Sequence, residues 1–164
     1  MNLHLKQQTV LIVRALYFCM EKNWTDLEKK YKISPAQQHI LFLLSTNKNA
    51  LTPTQISELG CWHISTVTRL LKPLQEKDFI NITTNKKQAR YKIVTISDKG
   101  EQMLNKLMNT FRDMEKFPFD MKYLSEEEMK KFLEIGQRIL DIHKGEGFVN
   151  WVMNAQVKDY DYTY

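Results

Sequence analysis

The chain has 164 residues, is 43% apolar and carries a formal net charge of +5. This length and composition predict one folded domain with a substantial core, and they exclude a disordered tail protein. No apolar run approaches the roughly 20 residues that a membrane span needs. The first residues also lack the pattern of a secretory signal, so we expect a cytoplasmic protein with no membrane partner.

The first third of the sequence predicts one long helix. Its apolar residues recur at alternating steps of three and four, which is the spacing of a single helical stripe: Val10, Val13, Tyr17, Met20, Trp24, Leu27 and Tyr31. Such a stripe favours packing in a core or against a second subunit over a ligand-binding role. We expect Cys19, which lies among apolar neighbours, to be buried there.

Two short helices follow, because two segments carry the same start signal. Residues 34–37 and 52–55 each offer a hydroxyl N-cap, a proline at the first helical position and a glutamine that can reach back. Gly60 is expected to end the second helix. A tight turn then leads into the next element.

A fourth helix is predicted from about His63 to Lys77, with one apolar and one polar side. The apolar side holds Val67, Leu70, Leu71 and Leu74, and the polar side carries small hydroxyls and cations: Ser65, Thr66, Thr68, Arg69 and Lys72. Pro73 lies inside this helix, where it removes one backbone hydrogen bond. It also clashes with the carbonyl of Arg69, so we expect a bend or an early end there.

A β-hairpin and a helical remainder complete the predicted elements. Residues 80–83 and 91–96 alternate apolar and polar side chains of β-favouring types, and the basic stretch 85–90 connects them. Ser97 caps a helix that should end near Phe117 and Pro118, because a proline disfavours helix in the residue before it.

The last third opens with a capping box at residues 125–128, which predicts another helix. Gly145 and Gly147 should then break the chain. A short helix is expected at residues 148–152, and residues 158–164 are expected to form a tail.

The order of these elements and the position of the charge predict a winged helix-turn-helix that binds duplex DNA. Residues 61–92 hold seven basic residues against two acidic ones, so the excess positive charge is local. In such a fold a recognition helix enters the major groove, while cations on the hairpin meet phosphates or enter the minor groove. We therefore expect a mainly α fold class with a small β-hairpin wing.

The sequence resembles the MarR-type winged-helix regulators over about residues 5–142. The resemblance lies in residues 51–59 (LTPTQISEL), 65–71 (STVTRLL) and 95–100 (TISDKG). Residues 39–41 (HIL) and 60–66 (GCWHIST) further resemble the Hpr branch of that family, whose members regulate protease production and sporulation in Gram-positive bacteria.

This resemblance implies a homodimer whose first and last long helices interlock, so that each subunit reaches one half-site. Residues 1–33 and 101–145 would be dimerisation helices, residues 34–100 the DNA-binding lobe and residues 146–164 a C-terminal extension. Arg90 would probe the minor groove from the tip of the wing, although Gln88 stands where the family usually has the aspartate that orients it.

The resemblance also implies a place for a small-molecule effector. In this family small acids bind in the crevice between the dimer helices and the DNA-binding lobe. Tyr17 and Trp24 are the candidate lining residues here.

The predicted function is that of a dimeric, sequence-specific transcriptional regulator, most simply a repressor at a pseudo-palindromic site, associated with the bacterial nucleoid through DNA. The expected DNA-binding residues are Gln38, Thr54, Gln55, His63, Ser65, Thr66, Thr68, Arg69, Lys72, Lys86, Lys87 and Arg90. The alternative is a winged-helix module for protein interaction, with the acidic, aromatic C-terminus as its docking surface.

No catalytic residue, cofactor or metal site is predicted. The sequence has no phosphate-cradling glycine loop, no His-Glu-x-x-His pair and no nucleophile elbow, so an enzyme is not expected. Cys61 is interpreted either as an oxidant-sensing thiol or as a small buried side chain, and the second interpretation is favoured. Cys61 and His63 lack a second clustered pair, which argues against a metal site.

Overall fold

Helices dominate the computed structural model, which describes residues 2–84, 92–116, 118 and 121–163. Over these residues the helices are α1 (Leu3–Tyr31), α2 (Pro35–Thr46), α3 (Pro53–Leu59), α4 (Ile64–Glu76), α5 (Asp98–Asp113), α6 (Glu126–Lys144) and α7 (Glu146–Asn154). The strands are β1 (Ala50–Leu51), β2 (Ile80–Thr84) and β3 (Lys92–Ile96), and a 3-10 turn at Met121–Tyr123 precedes α6. The mainly α fold class with a small β element is confirmed.

The predicted start signals of the helices are formed. At the start of α2 the Ser34 amide donates to Gln37 Oε1 (2.9 Å), and the Gln37 amide donates to Ser34 Oγ (3.3 Å). The same reciprocal pairing begins α3 at Thr52 and α6 at Ser125. Because each pairing satisfies backbone N–H groups that a first helical turn leaves open, these residues fix where three helices begin.

The sheet is antiparallel and has the strand order β1-β3-β2. β2 and β3 form the predicted hairpin, with Ile80 opposite Ile96 and Thr84 opposite Lys92. β1 pairs with the other edge of β3 and was not predicted. Two residues are too few to show an alternating pattern in a sequence.

One hydrophobic core lies between the sheet and helices α2 to α5. Its fully buried side chains come from each of these elements: Ile40, Leu41, Leu43, Leu44, Ile56, Val67, Leu74, Ile80, Val94 and Leu107. α4 is therefore held by its apolar side, and its polar side faces outward. In the part of the chain that the structure describes, no helix is both long and apolar enough to cross a bilayer.

α4 continues for one more turn beyond Pro73 and ends at Glu76, so the predicted early end at this proline is wrong. Leu74 is completely buried, and the amides of Lys77 and Phe79 donate to the carbonyls of Pro73 (3.2 Å) and Leu74 (3.0 Å). These contacts hold the last turn although the proline ring leaves one helical hydrogen bond unmade.

α5 ends at Asp113, earlier than the predicted boundary near Pro118. Met114, its C-cap, has left the helical conformation (φ −90°, ψ 94°), and the Met114 amide donates to the Phe111 carbonyl (3.1 Å). The proline therefore does not set the end of this helix.

The C-terminal residues differ most from the prediction. Gly145 (φ 80°) separates α6 from α7, whereas Gly147 lies inside α7 and does not break the chain. Residues 155–163, which we call the C-terminal strap, return to the core. Val157 is 4% exposed, and the Lys158 amide donates to Ser45 Oγ (3.2 Å). The predicted tail, residues 158–164, is thus tied down at its first residue, and Val157 just before it anchors the chain beside α2 and α5.

Candidate nucleic-acid interface

A hydrogen-bonded turn leads into α4. Ser57 Oγ donates to the Trp62 carbonyl (2.6 Å), and the Trp62 amide donates back to the Ser57 carbonyl (3.0 Å). Gly60 packs against the indole, since a Cβ at this position would lie 2.5 Å from the Trp62 ring. Cys61 adopts a left-handed backbone conformation with a φ of 54°. This turn sets the direction in which the chain leaves α3 and enters α4.

α4 presents a polar stripe, which consists of Ser65, Thr68, Arg69 and Lys72. All four side chains are exposed, and their positions i, i+3, i+4 and i+7 lie on one helical face. The buried residues of α4 lie on the other side: Val67, Leu71 and Leu74. The predicted division of this helix into two sides is therefore present, with Thr66 half-buried at the edge of the stripe.

The members of the polar stripe differ in what they can offer a ligand. Thr68 Oγ1 donates to the Ile64 carbonyl (3.1 Å), so its hydroxyl is left as an acceptor. Lys72 Nζ lies 3.9 Å from Glu76 Oε1, and both side chains are exposed, which makes this ion pair weak. His63 precedes the stripe as the N-cap of α4, and its side chain is exposed.

Three predicted contacts from the preceding helices have different outcomes. Thr54 and Gln55 are exposed in the first turn of α3, where they can be reached by a ligand. Gln38 is only 2% exposed, and its amide is used inside the protein, accepting from Trp24 Nε1 (2.8 Å) and donating to the Ile33 carbonyl (2.9 Å). Gln38 is therefore removed from the candidate set, since a buried amide with both ends bonded cannot reach DNA.

The wing is described only along its strands. Lys86, Lys87 and Arg90, the predicted cations of its tip, lie outside the described residues, as does Gln88. Lys92 is exposed at the first residue of β3, where it pairs with Thr84 at the end of the hairpin that adjoins residues 85–91. Lys92 adds to the charge of the basic segment 61–92, but no role was predicted for it. Its place in the basic segment 61–92 was the signal that could have assigned one.

An aromatic cluster lies beneath the turn and consists of Trp24, His39, Phe42 and Trp62. The His39 ring stacks on Phe42, with centroids 6.1 Å apart. It makes edge-to-face contacts with Trp62 (centroids 5.5 Å apart) and Trp24 (6.1 Å). Burial lowers the pKa of His39, because the charged form loses its hydration there. The cluster joins α1, α2 and the turn before α4.

A cavity of about 290 Å³ opens beside this cluster. Tyr17 and Trp24, the candidate effector-lining residues, both line it, together with Met20, Glu21, Pro35, Ala36, His39, Gly60 and Trp62. Glu21 is the one side chain in this lining with a full formal charge. Among the described residues that line the cavity, there is thus no Lys or Arg with which a small acid could pair.

Both cysteines are exposed, so the predicted burial of Cys19 and the favoured burial of Cys61 are wrong for the single chain. Cys19 lies on the exposed side of α1 next to Phe18, which is also exposed, and Cys61 is exposed on its left-handed turn. Among the described residues, no group of three or more His, Cys, Asp or Glu side chains is placed to hold a metal ion.

Part of this arrangement is similar to known proteins. Residues 33–91 match the model of the MarR family. The HTH-type transcriptional regulator Hpr of Bacillus mycoides (strain KBAB4) is 30% identical over 105 residues, which are 64% of this chain and 56% of that protein. Hpr of Bacillus cereus (strain B4264) matches equally. The chain spans about half the length of the curated relatives it matches.

Solved structures share the fold at lower identity. A crystal structure of an S. aureus MepR-DNA complex is similar with a TM-score of 0.71 and 22% identity, over 80% of this chain and 96% of that one. A mutant MarR from E. coli complexed with operator DNA gives a TM-score of 0.65 and 15% identity, over 84% and 94% of the two chains. The chain therefore has the fold of these proteins, and its residues 33–91 are similar to the MarR family.

Proposed function

We propose that this protein is a dimeric, sequence-specific DNA-binding transcriptional regulator, and that it acts as a repressor. The observation that carries the proposal is the polar stripe of α4, held outward by the apolar side of the same helix. Hydroxyls and cations at this spacing suit a helix that enters the major groove. The names of the relatives, and the DNA bound in two structures with the same fold, support it.

The roles of the side chains follow from their position and chemistry. Thr66, Thr68 and Arg69 are assigned to base edges, with Arg69 suited to guanine, and Lys72 is assigned to phosphate. Ser65 and His63 stand at the amino end of the same helix, and Thr54 and Gln55 are assigned to the DNA backbone. Lys86 and Lys87 are assigned to phosphates and Arg90 to the minor groove.

The proposed dimer rests on apolar surface that the single chain leaves in water. On α1, Val10 and Val13 are 65% and 62% exposed, and α6 contains no buried residue although Ile135 and Ile139 lie on one of its faces. Surface of this kind marks an interface. Residues 1–33 and 101–145 are accordingly assigned to dimerisation, residues 34–100 to DNA binding and residues 146–164 to a C-terminal extension.

Dimerisation gives the DNA site its expected form. A two-fold axis predicts a pseudo-palindrome with half-site centres about 34 Å apart. In this proposal the protein has no catalytic activity, acts in the cytoplasm on the nucleoid, and receives any small effector in the cavity that Tyr17 and Trp24 line.

A binding titration tests the proposal against the protein-interaction alternative. Fluorescence anisotropy with a random duplex at low salt should show binding that falls steeply as salt rises, because neutralised phosphates release counterions. Selection of bound genomic fragments should then recover a two-fold symmetric sequence. Absence of binding to any duplex at low salt would leave the interaction module as the better account. Against that alternative, the C-terminal strap is partly packed, with Val157 in the core.

A further inference from the structure

The N-cap of α4 is a histidine whose ring is tied to the helix. His63 has the extended backbone of an N-cap (φ −71°, ψ 143°), and the Ser65 amide donates to its ring nitrogen Nδ1 over 3.3 Å. Ser65 Oγ lies 2.8 Å from the same nitrogen. A ring nitrogen that accepts from a backbone N–H carries no proton itself, so the neutral ring bears its proton on Nε2.

This contact changes what the polar stripe can donate. With Nδ1 unprotonated, the Ser65 hydroxyl donates to it and keeps only acceptor capacity for a ligand. Thr68 is in the same state, because its hydroxyl donates to the Ile64 carbonyl. The Nε2–H of the exposed His63 ring therefore supplies a neutral donor at the amino end of the stripe, beside the charged donors Arg69 and Lys72.

We propose that His63 is a positioning residue for DNA binding, with a separate task for each ring nitrogen. Nδ1 holds the first turn of α4, and Nε2–H donates to an acceptor atom of the duplex, on a phosphate or on a base edge. The more common capping side chains Ser, Thr and Asp hold a helix by an oxygen, and none of them carries a donor as far from the backbone as Nε2. The inference rests on the proposed function, since it requires a duplex at this surface.

Two substitutions separate the two tasks. His63→Asn keeps a good capping oxygen but has no group at the reach of Nε2, so we expect an unchanged or higher melting temperature and about two- to tenfold weaker DNA binding. His63→Gln can place an amide N–H near the Nε2 position but is a poor cap. It should melt at a lower temperature while keeping its affinity within about twofold of the native protein when both are fully folded.

Comparing two duplexes shows whether the acceptor atom belongs to a phosphate or to a base. If Nε2–H contacts a phosphate, His63→Asn should lose affinity equally on cognate and random duplexes. If Nε2–H contacts a base, His63→Asn should lose affinity on the cognate duplex only. In either case the salt dependence of binding should stay that of the native protein, because the lost donor is neutral. Lys72→Ala, the matched variant that removes a charged donor, should reduce the salt dependence of binding.

A direct measurement on the native protein does not depend on any variant. Nitrogen-15 NMR of histidine-labelled protein should show an unprotonated Nδ1 and a protonated Nε2 for the His63 ring. The opposite tautomer would overturn the inference, and so would native affinity in His63→Asn. A native protein that bound no duplex would instead refute the proposed function, so the two failures can be told apart.

Discussion

Arg69 and Lys72 are neighbours on the polar stripe, but their surroundings suit them to different tasks. Lys72 shares an exposed and weak pair with Glu76, which it can exchange for a phosphate at little cost. Arg69 forms no ion pair with any described residue, and its planar fork can pair with a guanine edge in two hydrogen bonds.

We expect Arg69→Ala to weaken binding to the preferred site by about 1–3 kcal/mol and to relax the preference at one base pair. Lys72→Ala should weaken binding alike on cognate and random duplexes. It should also reduce by about one the steepness with which the logarithm of the binding constant falls with the logarithm of the salt concentration. Anisotropy titrations of both variants over a range of salt concentrations measure these effects. The assignment of roles is wrong if the two variants respond identically on the two duplexes.

His39 gives the protein a pH dependence of known sign. Its pKa is lowered by burial, so below the ordinary value near 6.5 the unfolded chain binds a proton that the folded chain excludes. This contribution to stability is therefore complete above about pH 7 and decreases as the pH falls toward the lowered pKa, by at most about 1.4 kcal/mol per pH unit.

The test compares the free energy of unfolding at several pH values in the native protein and in His39→Phe, which keeps an aromatic ring among Trp24, Phe42 and Trp62. We expect a smaller loss of stability in acid for this variant. His143→Gln, on the exposed end of α6, serves as the control for the removal of a histidine that is not buried. An unchanged profile in His39→Phe would assign the acid sensitivity to other groups.

The polar side of α4 could be predicted from the sequence because helical spacing alone decides which residues share a face. Gln38 could not be assigned in this way. A glutamine near a helix start reads as exposed, and nothing in the local sequence marks the indole of Trp24 or the carbonyl of Ile33 as its partners. The exposure of Cys19 has the same cause, since the stripe on α1 does not tell which of its parts the single chain buries.

At the level of elements, the junction between the wing and α5 leaves no room for a side chain at Gly100. A Cβ at Gly100 would lie 2.1 Å from the Phe79 carbonyl oxygen and 2.8 Å from Ile96 Cγ1. The same carbonyl accepts from the Ser97 amide (3.0 Å), so it cannot move away without loss of that bond. The first turn of α5 therefore packs directly on the backbone that enters β2.

Gly100→Ala should lower the free energy of unfolding by about 1–3 kcal/mol, because the added methyl group overpacks this junction. Gly147→Ala is the matched control, since a Cβ there meets nothing within 4 Å and alanine favours helix. It should leave the stability unchanged or raise it by up to about 1 kcal/mol. Urea unfolding of both variants gives the comparison, and equal stabilities would show that the junction can relax.

The helix starts were predictable because a capping box is a local signal, written in three or four neighbouring residues. The C-terminal strap was not, because its place depends on contacts across more than a hundred residues of chain, such as that between Lys158 and Ser45. The last turn of α4 was misjudged for a related reason. The burial of Leu74, which outweighs the effect of Pro73, is a tertiary fact.

For the whole molecule, the proposed dimer predicts a stability that depends on concentration. An interface formed by α1 and α6 exists only in the folded dimer, so the melting temperature should rise with protein concentration. Ile139→Glu should abolish this dependence and give a monomer in sedimentation analysis, because it places a charge in the apolar face of α6. Lys130→Glu, on the opposite face of that helix, should remain dimeric. A dimer that survives Ile139→Glu would exclude α6 from the interface.

The buried bridge of Trp24, Gln38 and Ile33 has a mechanical meaning in such a dimer. It ties the carboxyl half of α1 to the start of α2, while the exposed amino half of α1 would pack against the other subunit in the proposed dimer. In this dimer α1 and the DNA-binding lobe would therefore move as one rigid unit. A change of a few degrees in the crossing angle of the two α1 helices would rotate each DNA-binding lobe by the same angle. The distance between the two half-sites is then determined by the dimer interface, far from any base pair.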